Sequence, residues 1–149
     1  MHCDIAIIGA GPSGLCLARA LADSGLAVTL IERQSEEAIA NPAFDGREIA
    51  LTHTSRALLQ QLDIWDRLPS DDVALLRDAQ VFNGPSAFAL QIQARHAGSD
   101  HLGHLVANRA IRQAAWDSVQ AKGTTTLRAG TRLRHLRQHC QVRARLLQR

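Results

Sequence analysis

The sequence predicts a doubly wound α/β fold with a parallel sheet, and three features of its first 32 residues lead to that prediction. Residues 5–8 are a continuous apolar run, which is typical of a parallel strand buried on both faces. The turn Gly9-Ala10-Gly11-Pro12-Ser13-Gly14 follows, and apolar residues then recur at helical spacing over 15–22. A second apolar run, Ala27 to Ile31, completes a strand–turn–helix–strand unit.

The glycine turn has the G-x-G-x-x-G spacing of a dinucleotide-binding loop, and it lies between a predicted strand and a predicted helix, where that chemistry requires it. Gly9 permits the tight turn, Gly11 lets a diphosphate approach the backbone, and Gly14 lets the helix pack closely on the strand. The N-terminus of the helix then offers free N–H groups and the positive end of its dipole to phosphate oxygens.

Glu32 ends the second predicted strand, eighteen residues after Gly14, where dinucleotide-binding units carry an acid. A carboxylate there accepts hydrogen bonds from ribose hydroxyls and repels a 2′-phosphate. The pattern therefore favours FAD or NAD over NADP. It leaves the choice between FAD and NAD open.

The rest of the chain predicts further short elements of both kinds. Residues 34–46 are polar and contain the turn signals Asn41-Pro42 and Asp45-Gly46, which predict a loop. After that loop the sequence predicts, in order, a short strand Glu48–Leu51, a helix capped by Thr54, two strands at 74–83 and 86–94, a short strand at Leu105-Val106, a helix Ala110–Ala121, and a strand Thr124–Leu127 that begins a new unit.

Length and composition predict one domain with a buried core, since the chain has 149 residues of which 46% are hydrophobic. Its apolar stretches are too short to span a membrane, and no basic segment with a cleavage site precedes the first strand, so no signal peptide is predicted. Three cysteines without a C-x-x-C pair argue against a disulfide framework or a zinc site, so a reducing, cytoplasmic location is expected. His101 and His104 lie three residues apart without a third ligand, so no metal site is predicted.

Charge is distributed unevenly along the chain. The net charge is +3, yet residues 128–149 contain seven arginines and no acid, while the earlier residues carry ten basic side chains against fourteen acidic ones. The basic tail lacks the aromatic side chains on which bases stack, which argues against a nucleic-acid partner.

Four segments carry a resemblance to a known family. The segment GAGPSGLCLARALADSGLAVTLIER, residues 9–33, resembles the start of the flavin-dependent aromatic monooxygenases. Residues 45–51 (DGREIAL) resemble more specifically the ubiquinone-biosynthesis hydroxylases, and residues 62–65 (LDIW) and 108–112 (NRAIR) are similar to two further segments of that family. The subgroup that the chain resembles most is the demethoxyubiquinol hydroxylase type, over residues 3 to about 133.

The resemblance implies a Rossmann-like FAD-binding domain and a hydroxylation reaction. NAD(P)H would reduce FAD, and the reduced flavin would use O₂ to hydroxylate a quinol ring. The flavin carries this chemistry while the protein orients the substrate and excludes water, so no catalytic side chain is assigned. A hydrophobic quinol substrate also implies peripheral contact with a membrane or with a biosynthetic complex.

By the same resemblance, eight residues would contact FAD: Gly9, Gly11, Ser13 and Gly14 the diphosphate, Glu32 the adenosine ribose, Arg33 the adenosine, Arg47 the flavin, and Arg109 the ribityl–phosphate region. Alternatives stay open for two of them, because Arg47 is also compatible with a surface salt bridge and Arg109 with a solvated helix face. His53 follows the short strand and either faces the flavin or, as the favoured interpretation, is an ordinary histidine at a helix start.

The chain is expected to be a partial FAD-binding domain, because members of the family are considerably longer. Their middle Asp-Gly dipeptide and later Gly-Asp motif, whose acid binds the flavin-side ribose, do not occur here in a suitable context. Residues 74–94 would contribute the first strands of the substrate-binding sheet. Residues 134–149 form an atypical basic tail, interpreted as the product of a changed reading frame or, alternatively, as a basic terminal arm.

Two other functions remain open from the sequence: an NAD-binding module of a dehydrogenase, and a non-catalytic fragment with residual affinity for adenine nucleotides. Without the flavin-side ribose motif, the chain by itself is expected neither to hold FAD tightly nor to turn over.

Overall fold

A computed structural model describes residues 3–85 and 88–132 of the chain. The predictions for the tail at 134–149 lie outside the described residues. The described part contains these elements, in chain order: β1 Ile5–Ile8, α1 Pro12–Leu21, β2 Val28–Ile31, α2 Glu36–Ala40, β3 Glu48–Leu51, α3 His53–Gln61, β4 Val73–Leu76, β5 Asp78–Phe82, β6 Ala89–Gln93, β7 Gly103–Ala107, α4 Asn108–Lys122 and β8 Thr126–Arg128. Short 3₁₀ turns occur at Trp65–Arg67, Ser70–Asp72 and Ala94–Ala97.

The first sheet is parallel and has the strand order β1–β2–β8. Its register pairs Ile5 with Val28 and Leu30 with Leu127. Helix α1 crosses between β1 and β2 and packs on both strands and on α4. The predicted strand–turn–helix–strand unit is therefore confirmed. The last strand joins this same sheet, so the prediction that 124–127 begins a new unit is wrong.

The second sheet is antiparallel, with β7 between β3 and β4, and β5 pairs with β6 in a separate hairpin. The predicted single strand 74–83 is therefore two strands, which part at Arg77 and take different partners. A change of partner leaves the alternation of side chains intact, so the pattern did not reveal it. The assignment of residues 74–94 to a substrate-binding sheet stays a prediction.

Two local predictions are wrong for reasons of capping. Residues 34–46 contain the helix α2, whose N-cap Ser35 accepts a hydrogen bond from the Ala38 N–H at 3.3 Å, followed by two acids in the first turn that suit the helix dipole. Helix α3 is capped by Thr52, which accepts from the Ser55 N–H at 3.2 Å, and not by Thr54. The capping hydroxyl of Ser35 thus begins a helix where a loop was predicted, and that of Thr52 begins α3 earlier than the predicted cap Thr54.

The core lies between α1, α4 and the first sheet, and its fully buried large side chains include Leu15, Leu30, Ile39 and Ile64. Ser118 on α4 is also fully buried. Its hydroxyl donates to the Leu62 carbonyl at 2.7 Å and accepts from Arg19 Nε at 3.0 Å, so this buried polar group is satisfied and ties α4 to α1. Among the described helices, none has the length and apolar character required to cross a bilayer.

Three histidines, His53, His101 and His104, form a cluster on one face of the second sheet. His104 on β7 is 6% exposed and its ring meets Trp65 and His101 at centroid distances of 5.1 and 5.2 Å. Burial lowers the pKa of His104, and the positive charges of Arg56, His101 and His53 lower it further. His104 Nδ1 has no hydrogen-bond partner among the described residues, so a proton there would be poorly accommodated.

We expect the free energy of unfolding to decrease as the pH falls below about 6.5, the ordinary pKa of histidine. The unfolded chain then binds a proton that the folded His104 resists, so stability is present above that pH and is lost below it. Urea denaturation at a series of pH values measures this slope. His104→Leu should flatten it, whereas the same slope in His104→Leu, or a flattened slope in the exposed control His96→Gln, would contradict the assignment.

Candidate functional site

The glycine turn at the end of β1 forms the bottom of the candidate site. Gly9 has a φ of +102°, which favours glycine, and its N–H donates to the Ile31 carbonyl at 2.8 Å. Gly11 is the N-cap of α1 and supplies no side-chain acceptor. The first-turn N–H groups of this ten-residue helix are therefore left for water or for an acceptor from a ligand.

The glycines of the turn differ in what a side chain would meet. A Cβ on Gly14 would collide with the Gly9 carbonyl oxygen, so Gly14 is required by the packing of the helix on its own turn. A Cβ on Gly11 would meet no protein atom within 4 Å. The backbone at Gly11 is therefore open to a group that is not part of the described chain.

Glu32 closes the other side of the turn. Its Oε2 accepts a hydrogen bond from the Ala10 N–H at 2.7 Å, and its Oε1 accepts from the Gln34 N–H at 2.9 Å. Burial acts to raise the pKa of Glu32, yet backbone hydrogen bonds from Ala10, Gln34 and Arg33 and the charge of Arg33 outweigh it, so the pKa is below its ordinary value. The carboxylate is ionised at neutral pH, and its remaining lone pairs are acceptors for a ligand.

Two cavities meet at Glu32 and Arg33. One of about 400 Å³ lies beyond the ends of β1 and β2 and is lined by Ile8, Gly9, Ile31, Glu32, Arg33, Thr131 and Arg132. The second, of about 340 Å³, adjoins the helix N-terminus and is lined by Ala10, Gly11, Pro12, Glu32, Arg33, Gln34, Arg47, Asn108 and Arg112. We name the first the strand-end cavity and the second the helix-start cavity.

The helix-start cavity has a strongly basic wall. Three arginines line it: Arg33, Arg47 and Arg112. Arg112 Nη2 donates to Gln34 Oε1 at 2.9 Å, which fixes one guanidinium over the cavity. With the helix N-terminus at its floor, this cavity has the donors and charge that a diphosphate requires.

Sequence reasoning did not assign Asn108 and Arg112 to the site. They are four residues apart on α4 and therefore share one face of that helix. Both belong to the segment NRAIR that carries the family resemblance. The sequence alone does not show which face of α4 meets the glycine turn, the face with Asn108 and Arg112 or the face with Arg109. Their position beside Gly11 follows only from the packing of α4 on α1.

A third cavity, of about 380 Å³, lies on the second sheet and is lined by Phe44, Gly46, Arg47, Glu48, Asp71, Asp72, Ala74, Leu105 and Ala107. We name it the sheet-face cavity. Because side chains alternate along β7, Leu105 and Ala107 face this cavity and His104 faces the other side. Arg47 lines both this cavity and the helix-start cavity, and thus marks the boundary between them.

The remaining predicted contacts lie as follows. Ser13 is exposed in the first turn of α1. Arg109 pairs with Asp72 at 2.7 Å and lines a separate cavity of about 110 Å³, beside Pro69, so the structure does not bring it to the helix-start cavity. Its contact with a cofactor stays a prediction. His53 Nε2 contacts the His101 carbonyl at 3.1 Å, in the histidine cluster.

Comparison with known proteins identifies the family. Residues 2–149 match the family described as FAD binding domain. The chain belongs to this family. FAD is therefore favoured over NAD as the nucleotide of the site, a choice that the residue pattern left open.

Three curated relatives are named as ubiquinone or demethoxyubiquinol hydroxylases. The chain is 49% identical over 123 residues to ubiquinone hydroxylase UbiM of Neisseria meningitidis, covering 80% of this chain and 27% of the relative. It is 33% identical to ubiquinone hydroxylase UbiL of Rhodospirillum rubrum, covering 90% and 31%. It is 31% identical to 3-demethoxyubiquinol 3-hydroxylase of Escherichia coli, covering 91% and 35%. The predicted resemblance to ubiquinone-biosynthesis hydroxylases is confirmed, and the chain spans about a third or less of the length of these relatives.

Solved structures agree on the fold. PqsL of Pseudomonas aeruginosa aligns with a TM-score of 0.69 at 15% identity, over 93% of this chain and 36% of that one. The p-nitrophenol 4-monooxygenase PnpA of Pseudomonas putida aligns with a TM-score of 0.62 at 17% identity, over 85% and 31%. The predicted α/β FAD-binding fold is confirmed, as is the prediction that the chain is much shorter than these proteins.

The residues present fit the adenosine diphosphate half of FAD. The open backbone at Gly11, the free helix N-terminus and the basic wall suit a diphosphate, and the ionised Glu32 suits a ribose. Among residues 3–85 and 88–132, no group of three or more His, Cys, Asp or Glu side chains is arranged to hold a metal ion.

Two glycine substitutions should separate folding from binding. Gly14→Ala should lower the free energy of unfolding by about 1–3 kcal/mol, because the new Cβ collides with the Gly9 carbonyl. Gly11→Ala should lower stability less than Gly14→Ala does, because alanine is a poorer N-cap than glycine but the φ of −77° at Gly11 suits alanine and the space is open. It should weaken adenosine diphosphate binding.

Urea denaturation and calorimetric titration of both variants measure the two quantities. Equal ligand affinity of Gly11→Ala and the parent chain would show that no phosphate approaches this backbone. A Gly14→Ala chain as stable as the parent would show that the turn relaxes away from the helix.

Proposed function

We propose that this chain is the nucleotide-binding part of an FAD-dependent hydroxylase that acts on the ring of a ubiquinone precursor. The observation that carries the proposal is the ionised Glu32, held against the glycine turn beside a basic cavity at a helix N-terminus. The names of the relatives support the substrate class, since each is a ubiquinone or demethoxyubiquinol hydroxylase.

The chain's own residues would bind the adenosine diphosphate half of FAD. The strand-end cavity would take the adenosine beside Arg33, and Glu32 would accept hydrogen bonds from the ribose hydroxyls. The N–H groups at the start of α1 and the guanidinium of Arg112 would hold the diphosphate in the helix-start cavity. These groups fix the position of the nucleotide and leave the redox chemistry to its other end.

When bound, FAD supplies that chemistry: two electrons from NAD(P)H allow one oxygen atom of O₂ to enter the quinol ring while the other leaves as water. The sheet-face cavity adjoins the nucleotide cavity at Arg47. Ala74, Leu105 and Ala107 form an apolar wall within a lining that also contains Glu48, Asp71 and Asp72. This wall would exclude water from the side of the reaction that the chain borders. An apolar quinol would also bring the whole protein to a membrane surface.

A competition experiment tests the cofactor assignment. Adenosine diphosphate should displace FAD from the 149-residue chain, whereas FMN, which lacks the adenosine half, should not. Ligand-induced shifts of the melting temperature detect even weak binding, because a ligand of the folded state stabilises it by mass action. Displacement of FAD by FMN, or the absence of any shift with FAD and adenosine diphosphate, would contradict the proposal.

Glu32→Gln should weaken the binding of adenosine diphosphate by about 1.5–3 kcal/mol, the range for hydrogen bonds to a charged group. Glutamine keeps the length and one oxygen acceptor, so the hydrogen bond to Ala10 or to Gln34 survives. The parent should also discriminate against 2′-phosphorylated adenosine diphosphate, and Glu32→Gln should lose part of that discrimination because the repelling charge is gone.

The control is Glu37→Gln, which removes an exposed acid from the first turn of α2. Calorimetric titration with the two nucleotides gives both affinities for each variant. If Glu32→Gln binds them as the parent does, the ribose does not contact Glu32.

A further inference from the structure

The carboxylate of Asp45 joins two segments that are far apart in the sequence. Its Oδ2 accepts hydrogen bonds from Arg47 Nε at 2.9 Å and from Arg47 Nη2 at 2.6 Å. The same oxygen accepts from Asn108 Nδ2 at 2.7 Å, and Oδ1 accepts from the Arg47 backbone N–H at 3.1 Å. One side chain thus holds Arg47 by its backbone and by its guanidinium, and fastens both to the start of α4.

Asn108 makes this arrangement part of the fold. It is 3% exposed, and its own backbone N–H donates to the Arg47 carbonyl at 2.9 Å. The segment that leads into β3 is therefore tied to α4 by a backbone and a side-chain hydrogen bond. A buried amide with its N–H donor engaged in this way is costly to disrupt.

The carboxylate of Asp45 is ionised over the whole physiological range. The hydrogen bond from the Arg47 side chain, the Arg47 backbone N–H and the Asn108 amide lower the pKa of Asp45 to about 2. Asp45 is therefore a fixed negative charge beside an arginine that lines a basic cavity.

Arg47 by itself would be poorly placed for binding. Its side chain is 66% exposed, and a long exposed arginine samples many rotamers, which costs entropy when a ligand orders it. Two of its N–H groups are engaged by Asp45, and this leaves the outer edge of the guanidinium for a ligand. The contact with Asp45 thus neutralises part of the positive charge of Arg47 and holds its guanidinium in one orientation.

We propose that Asp45, held by Asn108, is a positioning residue that aims the guanidinium of Arg47 at the boundary of the helix-start and sheet-face cavities. There Arg47 meets the diphosphate of FAD, and not the flavin that the family resemblance implies. The inference rests on the proposed function, because it requires that these cavities hold FAD. It assigns no chemistry to Asp45 itself, whose effect passes through Arg47.

Charge alone predicts the opposite result, which makes the proposal testable. Asp45→Asn removes a negative charge beside a site for an anion, so electrostatic attraction by itself would make FAD and adenosine diphosphate bind more tightly. Positioning predicts weaker binding, because asparagine has one oxygen acceptor where the carboxylate has two. It cannot accept from the Arg47 guanidinium and Asn108 on one atom and from the Arg47 backbone N–H on the other. The sign of the change in affinity decides between the two.

The experiment is a double-mutant cycle on the 149-residue chain with Asp45→Asn, Arg47→Met and the double variant. Asp45→Asn should weaken the binding of FAD and adenosine diphosphate by about tenfold and leave the binding of adenosine, which has no phosphate, unchanged. In the Arg47→Met background the same substitution should have no effect. Asn108→Ala should give the same phosphate-dependent loss, with the melting temperature of the free chain reporting any loss of folding separately.

The matched control is Asp63→Asn. It removes an aspartate–arginine pair of the same 2.6 Å length, with Arg67, at a residue whose φ of +56° suits asparagine. It should leave all three affinities unchanged.

Three kinds of result would overturn the inference, and they are distinguishable. If the parent binds FAD and adenosine diphosphate but Asp45→Asn binds them equally or more tightly, Asp45 does not position Arg47 and the proposed function stands. If Asp45→Asn weakens adenosine as much as the phosphate-bearing ligands, or still acts when Arg47 is methionine, its role is structural. A parent chain that binds neither nucleotide removes the proposed function and this inference together.

Discussion

The hydrogen bond from the Ala10 N–H to the Glu32 carboxylate joins the end of β2 to the glycine turn at the end of β1. A second bond between the same segments, from Gly9 N–H to the Ile31 carbonyl, lies directly beside it. Together they hold the turn open above the start of α1, where a helix has unsatisfied N–H groups. The site exists because these hydrogen bonds keep the carboxylate of Glu32, the glycine turn and the N-terminus of α1 next to one another.

The second sheet is attached to this unit through α4, which follows β7 directly. Asp45 and Asn108 connect the beginning of β3 to the beginning of α4, and α4 packs on α1. The sheet-face cavity therefore keeps its place relative to the glycine turn, although it lies on a different sheet. Positive charge accumulates at this junction, where Asp45 directs the guanidinium of Arg47 and Gln34 accepts a hydrogen bond from that of Arg112.

Local sequence predicted the elements whose pattern agrees with their surroundings. The first β-α-β unit was correct because two apolar runs, a glycine turn and helical spacing all indicate one structure. The strand at 74–83 was wrong, since β4 and β5 share one alternating pattern but pair with different strands. Helix α2 was not predicted because it has only five residues, and because its N-cap Ser35 was interpreted as a polar residue of a loop.

The sequence by itself determined the nucleotide-binding loop, the acid that follows it and the family. These depend on residues close together in the chain, and their spacing is typical of a single structure, the dinucleotide-binding β-α-β unit. Only the tertiary structure decided which arginines face the loop. Arg112 and Arg109 are three residues apart on one helix, and the packing of α4 on α1 turns the first toward Gly11 and leaves the second with Asp72. The contact of Asp45 with Asn108 spans 63 residues, and no local pattern encodes a hydrogen bond at that separation.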